Sequence, residues 1–468
     1  MTTLTPQPVS VRAEDIDRFT RSALTSEGIV PTQQVHAWFA ERRRAATHVV
    51  RRVPFSALTT WQVDQDTGDI AHQSGKFFTI EGLRAVRADG QGWTQPVINQ
   101  PEVGILGILA KEFDGVLHLL MQAKMEPGNI NLVQLSPTVQ ATFSNYTQVH
   151  GGTRTRHLDH FRFPGGGTPL VDVLQSEQGA WFYRKRNRNM VVEADGEVEP
   201  HEDFCWLTLG QIRDLLRLPH VINMPARSVL GSIPYLATPR GGNGFRTSLG
   251  ASLTPEDNGP RSLAELIGWL NDAKLTRGLD ATLIRLNEVT GWHRTDDEIS
   301  DDGGRHFSVI GVSVSASTRE VTAWQQPMLA PRAPGLAAFV TRNVDGVLRI
   351  LVRASAEAGL FDRVEIGPTV QCVPGNRDKA PESRPALLDY VRGPSARVRF
   401  DVVQSEEGGR FYQAQTRYLV VEAGDDLPAP PGDEFTWMTF GQLMAFQAFG
   451  GLINVQARTL ITCLNALW

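Results

Sequence analysis

The segment "WTQPVINQPEVGILGILAKEFDGVLHLLMQAKMEPGNINLVQLSPTVQ", residues 93–140, decides the fold because the chain contains it twice. Residues 324–371 read "WQQPMLAPRAPGLAAFVTRNVDGVLRILVRASAEAGLFDRVEIGPTVQ", and the two segments align without a gap at an offset of 231. Of the 48 aligned positions, 17 are identical. A repeat of this length indicates duplicated domains, because the repeats of solenoid proteins are much shorter.

The similarity continues on both sides of this segment. The same offset aligns Trp38 with Trp269 and Trp61 with Trp292. After a small gap, "DVLQSEQGAWFY" from residue 172 matches "DVVQSEEGGRFY" from residue 401, and "NMPARSVL" from 223 matches "NVQARTLI" from 454. The duplication therefore spans most of the chain. The expected division is a flexible N-terminus (1–20), a first domain (21–235), a Gly-, Pro-, Ser- and Thr-rich linker (236–260) and a second domain (261–468).

Each copy has the pattern of a mixed α/β or α+β domain. The Asp114–Gly115 pair between two apolar runs predicts a tight hairpin, and the second copy keeps it as Asp345–Gly346. Further strands are expected within "GKFFTIEGLRAV", "LVDVLQS" and "NMVVEA", and helices within residues 35–53 and 200–218. The sequence thus predicts a curved mixed sheet with flanking helices, built twice.

Composition narrows the class of protein. The chain has 468 residues and a formal net charge of -5, which gives no support for nucleic-acid binding through a basic surface. It lacks a signal-peptide pattern and any run near the roughly 18 apolar residues of a membrane span. We therefore expect a cytoplasmic protein with no membrane partner. The three cysteines are widely spaced and match neither a disulfide framework nor a metal site.

In the strand that starts near Leu117, comparison of the two copies distinguishes structural positions from candidate functional ones. Alternate residues of this strand form an apolar face, and the other face carries Gln122, Lys124 and Glu126. The second copy keeps the apolar face but has Ser355 where the first has Lys124. The first copy retains the denser set of polar groups. We therefore predict that it holds the working site and that the second copy is either a relic or a supporting half.

Four segments carry a resemblance to a known family: "HQSGKFFTIEG", "WTQPVINQPEVGILGIL", "MQAKMEPGNINLVQLSPTVQATFSNYTQVHGG" and the terminal "NVQARTLITCL". Together they resemble the NDP-hexose 2,3-dehydratases of deoxysugar biosynthesis, over nearly the whole chain. The resemblance implies dTDP-4-keto-6-deoxy-D-glucose as substrate and a dTDP-3,4-diketo-2,6-dideoxy sugar as product. It also implies tandem Nudix-like domains, a homodimer, and a downstream 3-ketoreductase or aminotransferase that consumes the product.

Neither a metal nor a nicotinamide is expected. The segments after "LSPTVQAT" and "IGPTVQCV" lack the paired glutamates with which Nudix hydrolases bind Mg²⁺. The histidines of "HGGTRTRHLDH" do not have the spacing of a strong metal motif. Oxidation at C3 is balanced by loss of the C2 oxygen, and the glycines of "GGNGFRTSLG" do not form a dinucleotide fingerprint. We therefore expect no cofactor.

The dehydration needs a base at C3, an acid for the C2 hydroxyl and a donor to the developing enolate. We assign Glu126, or alternatively Glu102, as the base. Lys124 donates to the enolate oxygen or to the leaving hydroxyl. The alternative is a Lys–Glu pair on a solvated strand face. His118, His72, Tyr146 and His150 are further acid or base candidates.

Substrate binding is assigned to polar and aromatic side chains. Trp93 or Trp61 would stack on the base, although Trp93 recurs as Trp324 and a core role is equally compatible with the sequence. Arg227 recurs as Arg458, which fits a scaffold role as well as a ligand. The remaining candidates are amide, hydroxyl and basic residues for the sugar, thymine and diphosphate: Lys76, Gln95, Gln122, Asn129, Asn131, Gln134, Thr138, Asn145, Tyr146 and Arg154.

Two other functions remain compatible with the sequence. One is a Nudix-type hydrolase of nucleotide sugars, which the absent glutamate pattern disfavours. The other is a non-catalytic protein that binds a nucleotide sugar.

Overall fold

The computed structural model describes residues 11–142, 154–162, 166–235, 244–253, 259–277, 279–317, 321–372 and 385–467. The architecture is mixed α+β and dominated by strands. In this part of the chain, no helix is long and apolar enough to cross a membrane. The helices are α1 (Ala13–Leu24), α2 (Thr32–Ala45), α3 (Leu209–Leu216), α4 (Met224–Leu230), α5 (Phe245–Ala251), α6 (Leu263–Thr276), α7 (Leu388–Arg392), α8 (Phe440–Phe449) and α9 (Val455–Asn465), with short 3-10 helices at Phe55–Ala57, Leu158–Phe161 and Leu286–Glu288.

The strands of the first copy are β1 (His48–Val53), β2 (Trp61–Val63), β3 (Ile70–His72), β4 (Thr79–Arg87), β5 (Gly92–Asn99), β6 (Gly104–Phe113), β7 (Val116–Met125), β8 (Val133–Ser136), β9 (Val139–Ala141), β10 (Thr168–Ser176), β11 (Phe182–Tyr183), β12 (Arg186–Glu193) and β13 (Phe204–Thr208). Those of the second copy are β14 (Leu279–Ile284), β15 (Trp292–Arg294), β16 (Glu298–Asp301), β17 (Phe307–Ala316), β18 (Ala323–Pro331), β19 (Gly335–Val344), β20 (Val347–Ala356), β21 (Val364–Gly367), β22 (Val370–Cys372), β23 (Arg397–Ser405), β24 (Gln415–Glu422) and β25 (Phe435–Thr439).

Two equivalent seven-stranded sheets form the centre of the two copies. The first has the order β10-β12-β6-β7-β13, with β9 beside β6 and β8 beside β7. The second has the order β23-β24-β19-β20-β25, with β22 beside β19 and β21 beside β20. Each sheet is mixed, because β6 runs parallel to β12 and β19 runs parallel to β24 while the other pairs are antiparallel. The predicted duplicated mixed sheet is thus observed.

The predicted hairpin is confirmed in both copies. Asp114 and Gly115 have φ angles of 49° and 74°, and Asp345 and Gly346 have φ angles of 53° and 85°. Positive φ angles at both central residues match the right-handed twist of the flanking strands, which is why Asp-Gly is favoured there. This turn brings β7 back along β6 and so positions the strand that carries Lys124.

The two copies exchange equivalent strands. Strand β1 of the first copy pairs antiparallel with β17 of the second, and β14 of the second copy pairs antiparallel with β4 of the first. Strands β1 and β14 occupy the same position in the repeat, because His48 and Leu279 are 231 residues apart. The two remaining sheets, β1-β17-β16-β15 with β18 and β11-β5-β4-β3-β2 with β14, therefore each contain strands of both copies.

Two tight turns also cross from one copy to the other. The backbone N–H of Gly128 donates to the oxygen of Gly408 at 2.7 Å, and that of Gly359 donates to the oxygen of Gly179 at 2.8 Å. A Cβ atom at Gly128 would lie 1.8 Å from the carbonyl oxygen of Phe411, so only glycine allows this approach. The crossing turns bring the loop after β23 against the end of β7.

Two segments expected to be flexible or to be a linker contain packed helices. Residues 13–20, within the predicted flexible N-terminus, lie in α1, where Phe19 is fully buried. Helix α5 lies within the predicted linker, and it occupies the position in the second copy that α1 occupies in the first. Ser22 donates to the oxygen of Leu117, and Ser252 donates to that of Leu348, each at 2.5 Å. The polar composition of these segments concealed the helices; the boundaries of the two domains remain a prediction.

Two predicted helices are each shorter than expected because a strand occupies part of the segment. Residues 35–53 change from α2 to β1, whose Val49, Val50 and Val53 favour the extended chain. Residues 200–218 begin with β13, which pairs with β7, and only then enter α3. Thr208 caps α3 through the backbone N–H of Gln211, so the helix begins at Leu209.

Candidate active site

Two adjoining cavities lie where the copies cross. The larger has a volume of about 630 Å³ and the smaller one of about 100 Å³. Both are lined by Glu126, Gln140, Gly409 and Arg410, so they meet at these four residues. Glu126 and Gln140 come from the first copy, whereas Gly409 and Arg410 come from the loop between β23 and β24 of the second. Both copies therefore contribute to one site.

Glu126 is held by three side-chain amides. Gln140 donates to its Oε1 at 2.6 Å, and Asn129 and Asn223 donate to its Oε2 at 3.4 Å and 3.2 Å. Glu126 is only 3% exposed. In the second copy Glu357 likewise accepts from Gln371 and Asn454, at 2.9 Å and 3.1 Å. The position of this carboxylate therefore belongs to the duplicated scaffold.

Lys124 lies two residues before Glu126 and lines the smaller cavity. It is 5% exposed, and its Nζ donates to the backbone oxygen of Gln140 at 3.1 Å. The alternative of a solvated Lys–Glu pair on an exposed strand face is therefore wrong. A buried ammonium needs compensating partners, and the backbone oxygen of Gln140 is one of them.

Glu407 reaches the same cavity from the second copy. The backbone N–H of Gly409 donates to its Oε1 at 3.1 Å, and its buried Oε2 accepts no hydrogen bond within the described ranges. Burial and the charge of Glu126 raise the pKa of Glu407 well above the ordinary value of a glutamate. This carboxyl group is therefore well placed to hold a proton near neutral pH.

Arg410 occupies the junction between the two cavities. Its guanidinium lies 4.3 Å from the ring centroid of Phe78, and its Nε donates to Oε1 of Gln100 at 3.3 Å. Stacking on an aromatic ring orients the guanidinium. A phosphate group that passes from one cavity to the other would meet this side chain.

Two further buried ionisable side chains, Lys185 and Glu177, line the smaller cavity. Lys185 donates to the backbone oxygen of Glu102, and burial lowers its pKa to about 8. Glu177 accepts from Asn187 at 2.6 Å, and burial raises its pKa. Perturbed acids and bases that line one cavity are typical of functional sites.

Aromatic side chains line the larger cavity. Trp61, Phe77 and Phe78 come from the first copy, and Trp324 comes from β18 of the second. The indole N–H of Trp61 donates to the backbone oxygen of Gln325 at 2.7 Å, which fixes the ring across the boundary between the copies. A cavity of this size, with aromatic side chains and interspersed polar groups on its walls, suits a small-molecule ligand.

The predicted site residues divide between the cavities and the scaffold. Lys124, Glu126 and Trp61 line the cavities, and Asn129 contacts Glu126. The other predicted residues of the described chain that follow line neither of these two cavities. They are the alternative base Glu102 and the binding candidates Lys76, Gln122, Asn131, Gln134, Thr138, Arg154 and Arg227. Asn145, Tyr146 and His150 lie outside the described residues.

Several of these candidates have clear structural roles. Thr138 donates to the backbone oxygen of Leu120, and Arg154 pairs with Asp159 at the surface. Asn131 donates to the oxygen of His220 at 2.7 Å, and Gln134 donates to Ser405 at 2.8 Å.

Arg227 is fully buried and donates to the oxygen of Ser405 at 2.7 Å, as Arg458 does to the oxygen of Ser176. Its assignment to the diphosphate is therefore corrected to a scaffold role, which the repeat had left open. Of the other acid or base candidates, His118 is buried beside Ile29, whereas His72 lines the larger cavity.

Trp93 and Gln95 lie at the equivalent place in the other half of the molecule. Trp93 donates to Oε1 of Gln95 at 2.9 Å, and Trp324 donates to Oε1 of Gln326 at the same distance. Only the second pair lines the larger cavity. The loop after β23 explains the difference, because it bonds to Leu329 of β18 and also to Gly128 just after β7.

Sequence reasoning missed Glu407, Arg410, Lys185 and Glu177. A signal was present in the repeat, since Glu407 aligns with Gln178 and Arg410 aligns with Trp181 in the motif shared by residues 172–183 and 401–412. At these two positions the second copy has charged residues and the first copy has neutral ones. Within the described residues, no group of three or more His, Cys, Asp or Glu side chains is arranged to hold a metal ion.

Comparisons with known proteins agree with the repeat. The sequence model of the family described as NDP-hexose 2,3-dehydratase matches twice, over residues 32–233 and 263–464. A Streptomyces violaceoruber protein named dTDP-4-dehydro-6-deoxy-alpha-D-glucopyranose 2,3-dehydratase is 51% identical over 94% of this chain and 98% of its own. Proteins of the same name from Saccharopolyspora spinosa and Amycolatopsis orientalis are 48% and 46% identical, over 96% and 98% of this chain and 95% and 97% of theirs. The chain belongs to the NDP-hexose 2,3-dehydratase family.

Proposed function

We propose that this enzyme removes the C2 hydroxyl of dTDP-4-keto-6-deoxy-D-glucose and forms the C3 ketone at the junction of the two cavities. The observation that carries this proposal is the buried pair of Lys124 and Glu126 at a cavity that adjoins a larger, aromatic one. The substrate has matching parts, namely a reacting hexose, a charged diphosphate and a flat base. The names of the relatives support the same substrate.

The chemistry follows from the C4 ketone. The ketone acidifies the hydrogen on C3, and a base removes that hydrogen to give an enolate. The electron pair then forms the C2–C3 double bond while the C2–O bond breaks and water leaves. The resulting enol relaxes to the 3-ketone. The steps need proton transfer and stabilisation of the enolate oxygen.

Glu126 and Lys124 suit the first step. Both oxygens of Glu126 accept amide hydrogen bonds, which hold the carboxylate in a fixed orientation in the cavity. Lys124 lies on the same strand face and would donate to the enolate oxygen at C4, where negative charge develops. Glu102, the alternative base, contributes its backbone oxygen to Lys185 and its side chain lines neither cavity. Glu126 is therefore the better candidate.

The two cavities suggest how the substrate lies. The thymine would pack among Trp61, Phe78 and Trp324 in the larger cavity. The diphosphate would contact Arg410 at the junction, and the hexose would enter the smaller cavity beside Lys124 and Glu126. This orientation uses aromatic surface for the base and a fixed guanidinium for the phosphate oxygens.

The proposal also includes the type of domain, the oligomeric state, the enzymes that act next and the location of the protein. The crossing mixed sheets are compatible with tandem Nudix-like domains, and the family resemblance supports a homodimer. A 3,4-diketone is reactive, so a 3-ketoreductase or aminotransferase would consume it. A cytoplasmic location remains a prediction from the sequence.

The test incubates the purified protein with dTDP-4-keto-6-deoxyglucose in deuterium oxide, with a ketoreductase present to trap the diketone. NMR and mass spectrometry should show loss of the C2 oxygen and deuterium at C2. Nucleotide binding without this product would instead support a non-catalytic binding protein. Release of dTMP or dTDP after addition of Mg²⁺ would support a hydrolase.

A further inference from the structure

We propose that Glu407, supplied by the second copy, protonates the hydroxyl group that leaves C2. This inference rests on the proposed dehydration and assigns its missing acid. Glu407 lines the smaller cavity together with Lys124 and Glu126. The site thus takes its base from one copy and its acid from the other.

The geometry distinguishes the two carboxyl groups. Both oxygens of Glu126 accept amide hydrogen bonds, whereas only Oε1 of Glu407 accepts one, from the backbone N–H of Gly409 at 3.1 Å. The Oε2 atom of Glu407 is buried and accepts no hydrogen bond from the described residues. A buried oxygen without a donor favours the protonated carboxyl group, whose O–H can then be given to a ligand.

The electrostatic surroundings agree with this assignment. Four charged or titratable side chains act on Glu407: Glu126, Glu177, Lys185 and Arg410. Burial raises the pKa of Glu407 most strongly, and the negative charge of Glu126 adds to this effect. Two neighbouring carboxyl groups whose environments differ are a common source of separate acid and base roles.

The protons balance over one turnover. Glu126 receives the C3 proton, and Glu407 gives its proton to the C2 oxygen, which leaves as water while the C2–C3 double bond forms. Glu126 is then neutral and Glu407 is charged, so the pair carries one negative charge before and after elimination. Return of the proton from Glu126 to Glu407 restores the resting state. Conversion of the enol to the 3-ketone moves a proton from the enol oxygen to C2 and leaves this balance unchanged.

The repeat provides a substitution that the scaffold accepts. Gln178 is equivalent to Glu407 in the first copy and is buried. Glu407→Gln therefore keeps the size of the side chain and removes the acidic proton. We expect the rate of C2–O cleavage to fall by about 10²- to 10⁴-fold, the usual contribution of a general acid. Exchange of the C3 hydrogen with deuterium oxide should continue, because Glu126 and Lys124 remain.

The matched comparison is Glu126→Gln, which should lose both C3 exchange and C2–O cleavage. If Glu407→Gln keeps dehydration within about threefold of wild type, or loses C3 exchange as completely as Glu126→Gln does, the assignment is wrong. If the unsubstituted protein itself forms no dehydrated product, the proposed function fails. That outcome is distinct from a failure of the acid assignment.

A second measurement does not depend on the folding of a variant. Fluoride leaves without prior protonation, so the substrate analogue with fluorine in place of the C2 hydroxyl bypasses the acid. With the unsubstituted enzyme, dehydration should fall as the pH rises and Glu407 loses its proton, whereas fluoride release should not show that fall. The same high-pH decrease for both leaving groups would overturn the proposal.

Discussion

Lys124→Ser tests the assignment of Lys124 by placing in the first copy the residue that the second copy has at this position, Ser355. The change removes the buried ammonium beside Glu126 and its hydrogen bond to Gln140. Loss of a positioned donor to a developing oxyanion typically lowers kcat by about 10²- to 10³-fold, or about 2.7 to 4 kcal/mol of transition-state stabilisation. Because Lys124 lines only the smaller cavity, dTDP affinity should change by less than about threefold.

The assay follows three quantities on the same preparation. Single-turnover NMR gives the rate of C2–O cleavage, deuterium incorporation at C3 reports enolate formation, and calorimetry gives the Kd for dTDP. Ser355→Ala is the matched control, because it alters the equivalent position of the second copy and should leave all three unchanged. A Lys124→Ser enzyme with kcat within a few-fold of wild type would refute the role of Lys124. Loss of dTDP binding as large as the loss of kcat would show that Lys124 binds the substrate instead of stabilising the enolate.

Three further predictions concern the junction and the buried scaffold. Arg410→Gln should weaken dTDP binding by about 10- to 150-fold in calorimetry, because hydrogen bonds to charged groups contribute about 1.5 to 3 kcal/mol; unchanged affinity would exclude a diphosphate contact. Burial raises the pKa of Glu365 to about 7 in the folded protein. The stability that the protonated side chain contributes to folding is therefore fully present below its pKa in the unfolded chain, and it is lost as the pH rises through its pKa in the folded protein. Glu365→Gln, which copies Gln134 of the first copy, should therefore stabilise the protein at pH 8 relative to pH 5 in thermal unfolding, and an identical shift at both values would contradict this. Gly128→Ala should lower Tm by several degrees because its Cβ would meet a backbone oxygen of the second copy, whereas Gly196→Ala, which meets nothing within 4 Å, should not.

A large part of the fold could be predicted from the repeat, because hairpins and strand faces depend on local sequence patterns. The hairpin at Asp114–Gly115 and the face of β7 that carries Lys124, one residue before the strand ends at Met125, follow from turn chemistry and alternation. The strand exchange did not follow, because β1 and β14 have equivalent positions in the repeat and could pair within either copy. Local sequence does not decide between two such partners, which differ only in long-range contacts.

The same ambiguity limited prediction of the site. Trp93 and Trp324 are equivalent in sequence, and only the long-range pairing decides which of them lines the larger cavity. Burial was also hidden, because alternation in β7 places Lys124 and Glu126 opposite the apolar face without showing that the loop with Glu407 covers them. The charge difference between Gln178 and Glu407 was readable in the sequence. Its meaning depended on the crossing of the two copies.

The distribution of buried charge explains why the two equivalent places differ. An ionised group inside a protein is unfavourable unless partners or a ligand compensate for lost hydration. The junction beside Glu126 concentrates charge from both copies, and a diphosphate sugar with a developing enolate would supply further compensation there. At the positions that match Lys124, Glu407, Arg410 and Lys185, the place beside Glu357 has the neutral residues Ser355, Gln178, Trp181 and Ala414. Since Trp181 is buried against Phe307 and Phe411, this half gains apolar packing where the other half has Arg410. One copy alone would lack either the base or the acid, so the chemistry assigned to Glu126 and Glu407 requires the crossed pair.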